Sequence, residues 1–372
     1  MEASLKKAEI QEKLSKIQTI LEKKGIMPVL NHFLMEISHQ GSFIIATDLE
    51  TAVKEPVSLE VLKEGRVCIP GRKFYEIIRE LEEDIQISLI EQWLKIKSGK
   101  SQFRIVTLDA EEFPVWPKIG DALKIELSRD FLLTAIEKTI YAAGEADARY
   151  VLNGLLFHLT PSSEFRVVGT DGHRLALFKS LEQKFSGAEI TEDKKVILSK
   201  KSLNELRKFL SDSQHDVSFY IGKTHVMFEI DGVSFLTRMI EGNYPDYEAV
   251  IPINNDKIAV IDKKSLVNSL KRVSILSRER QNAVKLEFNA NSLIISSSDP
   301  EFGEAQDELN IEYTAEPIVV GFNARYLIDT LEEISSDKVL IKMKEPEKAV
   351  YITDSEDTGS FKYECIVMPM RL

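Results

Sequence analysis

Residues 149–177 read RYVLNGLLFHLTPSSEFRVVGTDGHRLAL, and residues 27–53 read MPVLNHFLMEISHQGSFIIATDLETAV. Aligned, each gives a strand, a turn, a second strand ending on Thr-Asp, and more strand, because short apolar runs are bounded by turn residues. A third, weaker copy is NAVKLEFNANSLIISSSDPEFGEAQDEL at 282–309. The aligned acids are Asp48, Asp171 and Asp299, separated by 123 and 128 residues, close to one third of the 372-residue chain. Self-similarity at a fixed period marks a chain built from copies of one supersecondary unit.

Working outward, each copy is preceded by a helix candidate, at 7–24, 128–144 and 262–280. Ile10, Leu14, Ile17 and Leu21 recur at three-to-four spacing in the first, and Leu132, Ile136 and Ile140 in the second. Behind each copy a short apolar strand enters a second helix, in VCIPGRKFYEIIREL, VILSKKSLNELRKFL and VVGFNARYLIDTLEEI. A hairpin follows, and each third closes on a residue-Pro step at Pro114, Pro245 and Pro369. The turn-rich segments KIGDAL and VIPINND divide the chain near 122 and 252. Three α+β domains result, 1–122, 123–252 and 253–372.

Cys68 and Cys365 are the only thiols and form no Cys-x-x-Cys, so they read as reduced core residues and exclude a structural zinc site. No apolar run approaches the roughly 20 residues that span a bilayer. The opening MEASLKKAEIQEKLSKIQ is charged and amphipathic rather than a signal core, so a cytoplasmic protein without cofactor or metal is expected. The same opening is a poor alternating strand.

The net charge of −12 opposes a surface that coats nucleic acid everywhere. The distribution is uneven. Segments 6–24, 262–280 and 200–212 sum to +3, +4 and +2, while GRKFYEIIRELEED and ARYLIDTLEEI are net negative. Helices of this kind on one surface would add into a weak, salt-sensitive attraction for a polyanion backbone. No base-reading motif accompanies them, so sequence-specific binding is not supported.

The segment VGTDGHRL, 168–175, admits three readings. Asp171 and His173 could form an acid/base pair, but no nucleophile motif or metal-ligand cluster accompanies them. As a phosphate loop it lacks the Lys-Ser/Thr pair. The repeat aligns Thr170-Asp171 with Thr47-Asp48, which makes that pair an architectural turn. Gly172, His173, Arg174 and Leu175 are not repeated and read as part of a binding surface.

The chain resembles the bacterial sliding clamps, the β subunits of DNA polymerase III. The resemblance is carried by MPVLNHFLM, ATDLETAV, IPGRKFYEIIREL, EEFPVWP, RYVLNGLLF, TDGHRLAL, GNYPDYEAVIP and VMPMRL, in family order across essentially the whole chain. It implies three tandem copies of the DNA clamp domain, with helices lining an inner surface and antiparallel sheets outside. It further implies a ring-forming head-to-tail homodimer that encircles duplex DNA and tethers the replicative polymerase. Helices pack 8–10 Å apart. Six inner helices would therefore enclose a hole of roughly 7 Å, and twelve one of roughly 25 Å, once a helix diameter of about 10 Å is removed. Only the dimer admits a duplex.

The resemblance also assigns roles. A pocket for the polymerase α subunit, the clamp loader and other proteins with a short aliphatic-aromatic motif falls on Leu152, Thr170, Gly172, His173, Arg174, Leu175, Pro245, Val250, Ile366, Met368, Pro369, Met370, Arg371 and Leu372. In that reading Arg174 and Arg371 hold peptide carbonyls or a carboxylate, and Gly172 permits close backbone approach. Lys24, Arg149 and Tyr150 fall at DNA-contact positions, while Ala146 occupies another and cannot donate a hydrogen bond. Lys73, Phe103 and Ile105 fall on one side of the ring interface, and Ile275, Leu276, Glu301 and Glu304 on the other. A repeat scaffold that binds proteins but not DNA, and an enzyme, are the alternatives.

Overall fold

The computed structural model describes residues 1–22, 27–181, 185–277, 282–356 and 359–371. Its residues group into two units. The first holds Met1–Arg129, Ser186–Ala188 and Lys201–Met239; the second holds Asp130–Phe185, Glu189–Lys200 and Ile240–Leu372.

Each repeat contributes two helices. These are α1 (Lys7–Ile17), α2 (Gly71–Glu80), α3 (Arg129–Ile140), α4 (Lys200–Asp212), α5 (Lys263–Val273) and α6 (Ala324–Glu332). The apolar positions read from the periodicity are buried: Ile10, Leu14, Ile17 and Leu21 in the first repeat, and Leu132, Ile136 and Ile140 in the second. Two helices are shorter than their patterns. α1 stops at Ile17, and the Thr19 hydroxyl donates to the Lys16 carbonyl at 2.8 Å. Such a side-chain bond competes with continuation of the helix. α5 stops at Val273 and runs into a 3-10 turn, Ser274–Leu276. The Asp262 carboxylate caps the start of α5 through Ser265 N–H at 2.8 Å, and Asn323 caps α6 through Arg325 N–H at 2.9 Å.

The segments after α2, α4 and α6 are three-stranded meanders, one strand more than the hairpin reading. After α2 these strands are Ile85–Ile90, Trp93–Ser98 and Ser101–Val106. The opening residues, whose weak alternation left the point open, are also a strand. Glu2–Leu5 pairs antiparallel with Leu59–Lys63 and with Ile85–Ile90. Ala3 and Leu5 point inward and are buried, so two core positions suffice on a strand paired on both sides.

Long sheets carry the chain from one repeat to the next. In the first unit Val233–Arg238 pairs with Thr51–Val57. In the second, Arg174–Ser180 pairs with Phe361–Val367, in a nine-stranded sheet that also holds Lys194–Ser199, Gly154–Leu159 and Phe165–Thr170 on one side. The middle third is thereby shared between the units. Phe131 of α3 sits edge-on to Phe165 at 5.7 Å and against Phe178 at 5.3 Å, which locks that helix onto the sheet. Cys68 and Cys365 are both free and buried, and burial pushes each thiol up to about 12.

Candidate partner-binding groove

The second unit builds an apolar groove from the turn between strands Phe165–Thr170 and Arg174–Ser180. Thr170 Oγ1 donates to the Arg174 carbonyl at 2.6 Å and accepts from Gly172 N–H at 3.1 Å. Asp171 Oδ1 accepts from His173 N–H at 2.9 Å and Arg174 N–H at 3.0 Å. Gly172 has φ +88°, and a Cβ there would meet the Arg149 guanidinium at 3.0 Å, so the position requires glycine on both counts. Strand pairing then draws in the end of the chain, Arg174 facing Val367, and Met368 N–H donates to the His173 carbonyl at 2.8 Å.

The result is a cavity of about 150 Å3. Leu152, Thr170, Gly172, His173, Arg174, Leu175, Pro245, Val250, Ile366 and Met368 all line it. Leu152, Leu175 and Ile366 are buried and form its floor, while Val250 is 48% and Met368 41% exposed at its rim. Pro369, Met370 and Arg371 follow Met368 without lining the cavity; Met370 N–H is tied to the Gly321 carbonyl at 2.8 Å. Leu372 lies outside the described residues, as does Lys24.

Arg174 does not offer its guanidinium to a ligand. Nε bonds Asp171 Oδ2 at 3.0 Å, Nη1 bonds Asp329 Oδ2 at 2.6 Å, and Nη2 donates to the Tyr141 carbonyl at 2.8 Å. The group also stacks over the Tyr326 ring at 4.6 Å. Burial would lower its pKa, and the two carboxylates more than offset that and raise it. Arg174 is thus a brace in the groove wall rather than a hand for peptide carbonyls. Asp171 is spent on the same brace and on the turn, and the His173 ring stacks on Tyr326 at 6.2 Å. Neither is poised for proton transfer with the other.

Three lining residues lay outside the pocket read from the sequence: Arg149, Asp246 and Tyr247. Arg149 stands at the rim, its side chain 58% exposed, paired with Asp147 at 2.9 Å and bonded to the Asp171 carbonyl at 3.1 Å. Hydrogen bonds from the Arg149 side chain and backbone hold the Asp147 carboxyl down at about 2. Tyr150, the neighbouring residue that the resemblance assigns to DNA, is 77% exposed. Tyr247 is buried, and Arg166 Nη1 donates to its hydroxyl at 3.1 Å. His158 Nδ1 lies 2.8 Å from the same hydroxyl, within hydrogen-bond distance. The signal for Tyr247 was present in YPDYE, where it follows Pro245 by two residues as Trp116 follows Pro114.

The remaining assigned residues sit on or near two sheet edges, one in each unit. In the first, Ser101–Val106 is an edge strand carrying Phe103, 40% exposed, and Ile105. Lys73 is exposed and pairs with Glu76 at 2.6 Å. In the second, Gly303–Asn310 is an edge strand carrying Glu304, with Glu301 just before it in sequence and the 3-10 turn Ser274–Leu276 packed against it, where Ile275 is 77% exposed. Phe302, not anticipated, is 75% exposed beside Glu301.

Helix lysines read as a basic lining are largely paired. Lys16 bonds Glu12 at 3.0 Å and Asp212 at 2.9 Å, Lys201 bonds Asp48, Lys271 bonds Glu332 at 2.7 Å, and Arg272 bonds Asp307. The field they project is accordingly weaker than the formal count. Among the described residues no helix is long and apolar enough to cross a membrane.

Tandem α+β repeats fused through long antiparallel sheets, with an apolar groove where a repeat turn meets the closing strand, define the DNA clamp class. Within it, the chain belongs to the family of DNA polymerase III beta subunits, the beta sliding clamps. It matches the N-terminal domain of that subunit over residues 1–117, the central domain over 126–246 and the C-terminal domain over 248–371. The Beta sliding clamp of Haemophilus influenzae is 32% identical and that of Pseudomonas putida 31%, each alignment covering both chains fully. Among solved structures, the DNA polymerase sliding clamp of Pseudomonas aeruginosa aligns with a TM-score of 0.94 at 29% identity over all of both chains. The beta subunit of Thermotoga maritima gives 0.89 at 29%, covering this chain fully and 99% of its own.

Proposed function

We propose that two copies of this chain close head to tail into a ring around duplex DNA and hold the replicative polymerase there. The groove would dock the polymerase, the clamp loader and other replication and repair proteins through an aliphatic-aromatic motif. A solved clamp of Pseudomonas aeruginosa carries griselimycin, and a ligand of that kind suits an apolar floor with an exposed Met368 able to repack against different side chains.

The observation that carries the ring is the pair of open sheet edges of unlike character. An unpaired edge is a template for another strand. One edge presents Phe103 and Ile105, and the other presents Glu304 with Ile275 and Phe302 close by. Edges of two different kinds on one chain make a heterologous contact, which either closes into a ring or runs on as a filament. Lys73 and Glu301 would form its rim. Lys24, Arg149 and Tyr150 would touch the backbone of the enclosed duplex. The function is a tether rather than a catalyst, since Asp171 and His173 serve the turn and the groove wall. The cytoplasm is its proposed compartment.

Retention on DNA tests the ring. Protein loaded on nicked circular plasmid should stay bound through gel filtration and be lost after one linearising cut. Equal loss from both forms would exclude topological tethering.

A further inference from the structure

The outward face of the five-stranded sheet in the first unit carries cations that no carboxylate among the described residues pairs with. Across this sheet Lys63 faces Glu2, Glu2 faces Ser88, Ser88 faces Lys95, and Lys95 faces Arg104. In the next row Gln86 faces Lys97 and Lys97 faces Gln102. Ile87, Leu94 and Ile96 alternate with these residues and are buried, so the polar set lies on one face. Several lysines on other strands have carboxylate partners, such as Lys124 with Glu126 at 2.9 Å, Lys285 with Glu287 at 2.6 Å and Lys362 with Glu364 at 2.8 Å, while Lys54 and Lys342 lie over the Phe43 and Tyr351 rings instead. Among the described residues, Lys95, Lys97 and Arg104 have none. Lys95 and Arg104 are even directly opposed, an arrangement that costs stability unless an anion lies between them. In a chain of net charge −12 such a patch is conspicuous.

The surroundings narrow the ligand. The face forms a shallow concavity of about 340 Å3 lined by Gln86, Ser88, Lys95, Lys97, Gln102 and Arg104, with Glu2 at one side, Ile87 and Ile96 beneath and Phe103 at the strand edge. Neutral amide and hydroxyl donors interleaved with Lys and Arg are the groups that contact phosphate and sugar. At its end the Arg104 guanidinium lies over the Trp93 indole at 4.2 Å, a flat cationic plate of the kind on which an unpaired base stacks. An acidic peptide would instead want accessible apolar anchors between the cations, and here Ile87 and Ile96 are buried, leaving only Phe103 exposed at the edge. We infer that this sheet face binds single-stranded nucleic acid, with Lys95 and Lys97 on phosphates and the Arg104-Trp93 plate under a base. The site is separate from the groove and from the encircled duplex, and goes beyond the tethering reading.

The test is fluorescence anisotropy of a labelled 20-nucleotide single strand against the dimer, parent and Lys95→Gln/Lys97→Gln, across salt. A short linear strand slips off a ring, so only direct contact is scored, and contributions from other surfaces cancel in the difference. Two phosphate contacts on a single strand contribute about 1.4 to the slope of log affinity against log salt. The parent should therefore lose about sevenfold more affinity than the variant between 50 and 200 mM salt. Light scattering should give the same mass for both, and short linear duplex should bind with no difference between them. Equal slopes for parent and variant overturn the proposal. So does a poly-glutamate peptide that competes as well as the oligonucleotide, which would make this a protein-docking face. A changed mass in the variant would assign the cations to the contact between copies and overturn it too. Retention on circular DNA stands or falls separately.

Discussion

The first and second repeats build the same turn and put it to different uses. Thr47 Oγ1 donates to the Thr51 carbonyl at 2.9 Å and accepts from Leu49 N–H at 3.0 Å, the pattern Thr170 makes with Arg174 and Gly172. Asp48 Oδ1 accepts from Glu50 and Thr51 N–H at 3.0 and 2.7 Å, as Asp171 does from His173 and Arg174. The middle residue is left-handed in both, Leu49 at φ 73° and Gly172 at φ 88°. Beyond the backbone the two diverge. The fifth residue is Thr51 in one, its hydroxyl bonded to Ser202 at 2.7 Å, and the braced Arg174 in the other. Trp116 lines the depression beside the first turn, which encloses about 60 Å3; Tyr247 lines the 150 Å3 groove beside the second. The repeat supplies a turn that presents a wall, and side chains decide whether that wall becomes a pocket.

The sharpest way to break this comparison is at its fifth residue. Arg174→Ala leaves Asp171 and Asp329 facing a buried gap, because the arginine side chain is only 10% exposed. Removing one partner of a buried charge cluster costs about 3–5 kcal/mol, read as a fall in the urea midpoint of the second unit. Thr51→Ala removes one hydroxyl bond and should cost about 1 kcal/mol. Equal losses would mean that Arg174 is an ordinary turn residue and not the brace of the groove.

The backbone device was legible in the sequence because Thr-Asp recurs at one third of the chain and because Asp and Thr have few other reasons to precede a strand so regularly. The apolar helix faces were legible for the same reason, since periodicity is a local property. Most of the groove came from family resemblance: Leu152, Leu175 and Ile366 are ordinary core residues by pattern, and only strand pairing between 174–180 and 361–367 makes them neighbours. Arg174 was placed in the groove but given the wrong task, because Asp329 and Tyr141 lie 155 and 33 residues away and nothing local announces them. The strand at Glu2–Leu5 was left open by the sequence because pairing on both sides substitutes for alternation. Helix charge was overread for a related reason, as the partners of Lys16 and Lys201 sit on other elements.

A smaller effect sharpens the comparison at its middle residue. Gly172→Leu places a side chain at positive φ and against Arg149, whose guanidinium must move by a few tenths of an ångström. Left-handed backbone costs a non-glycine residue about 1–2 kcal/mol, and the displaced Arg149 should also weaken binding of a labelled peptide bearing leucine and phenylalanine anchors. Leu49→Gly relieves the same strain in the first repeat. Against the extra entropy of glycine in the unfolded chain, its stability should stay within about 0.5 kcal/mol of the parent. Opposite signs, or a large loss against none, are what two uses of one turn require. Matching losses would show that φ is not the quantity that differs.

The smallest effect sits behind the turns, where the alignment puts Glu36 opposite His158. Glu36 pairs with Arg66 at 3.0 Å on an exposed face, and such a pair contributes under about 1 kcal/mol. His158 is buried behind Tyr247, and burial, reinforced by Lys195, lowers its pKa from the ordinary 6.5 against the weaker pull of Asp193. Its Nδ1 lies 2.8 Å from the Tyr247 hydroxyl, which couples the ring to the groove wall. The unfolded chain takes up that proton near pH 6.5 and the folded one only at lower pH. Stability from this group is therefore complete above pH 6.5. It declines as pH falls through that value and the lower folded pKa, at no more than about 1.4 kcal/mol per pH unit for one proton. Urea unfolding of the second unit from pH 8 to 5 should show that decline. His158→Asn, which keeps an acceptor for Tyr247 but does not titrate, should flatten it, and peptide affinity should follow the same two curves. Glu36→Gln should leave both curves as they are in the parent, since the first repeat has neither the buried imidazole nor the tyrosine hydroxyl to couple it to a pocket.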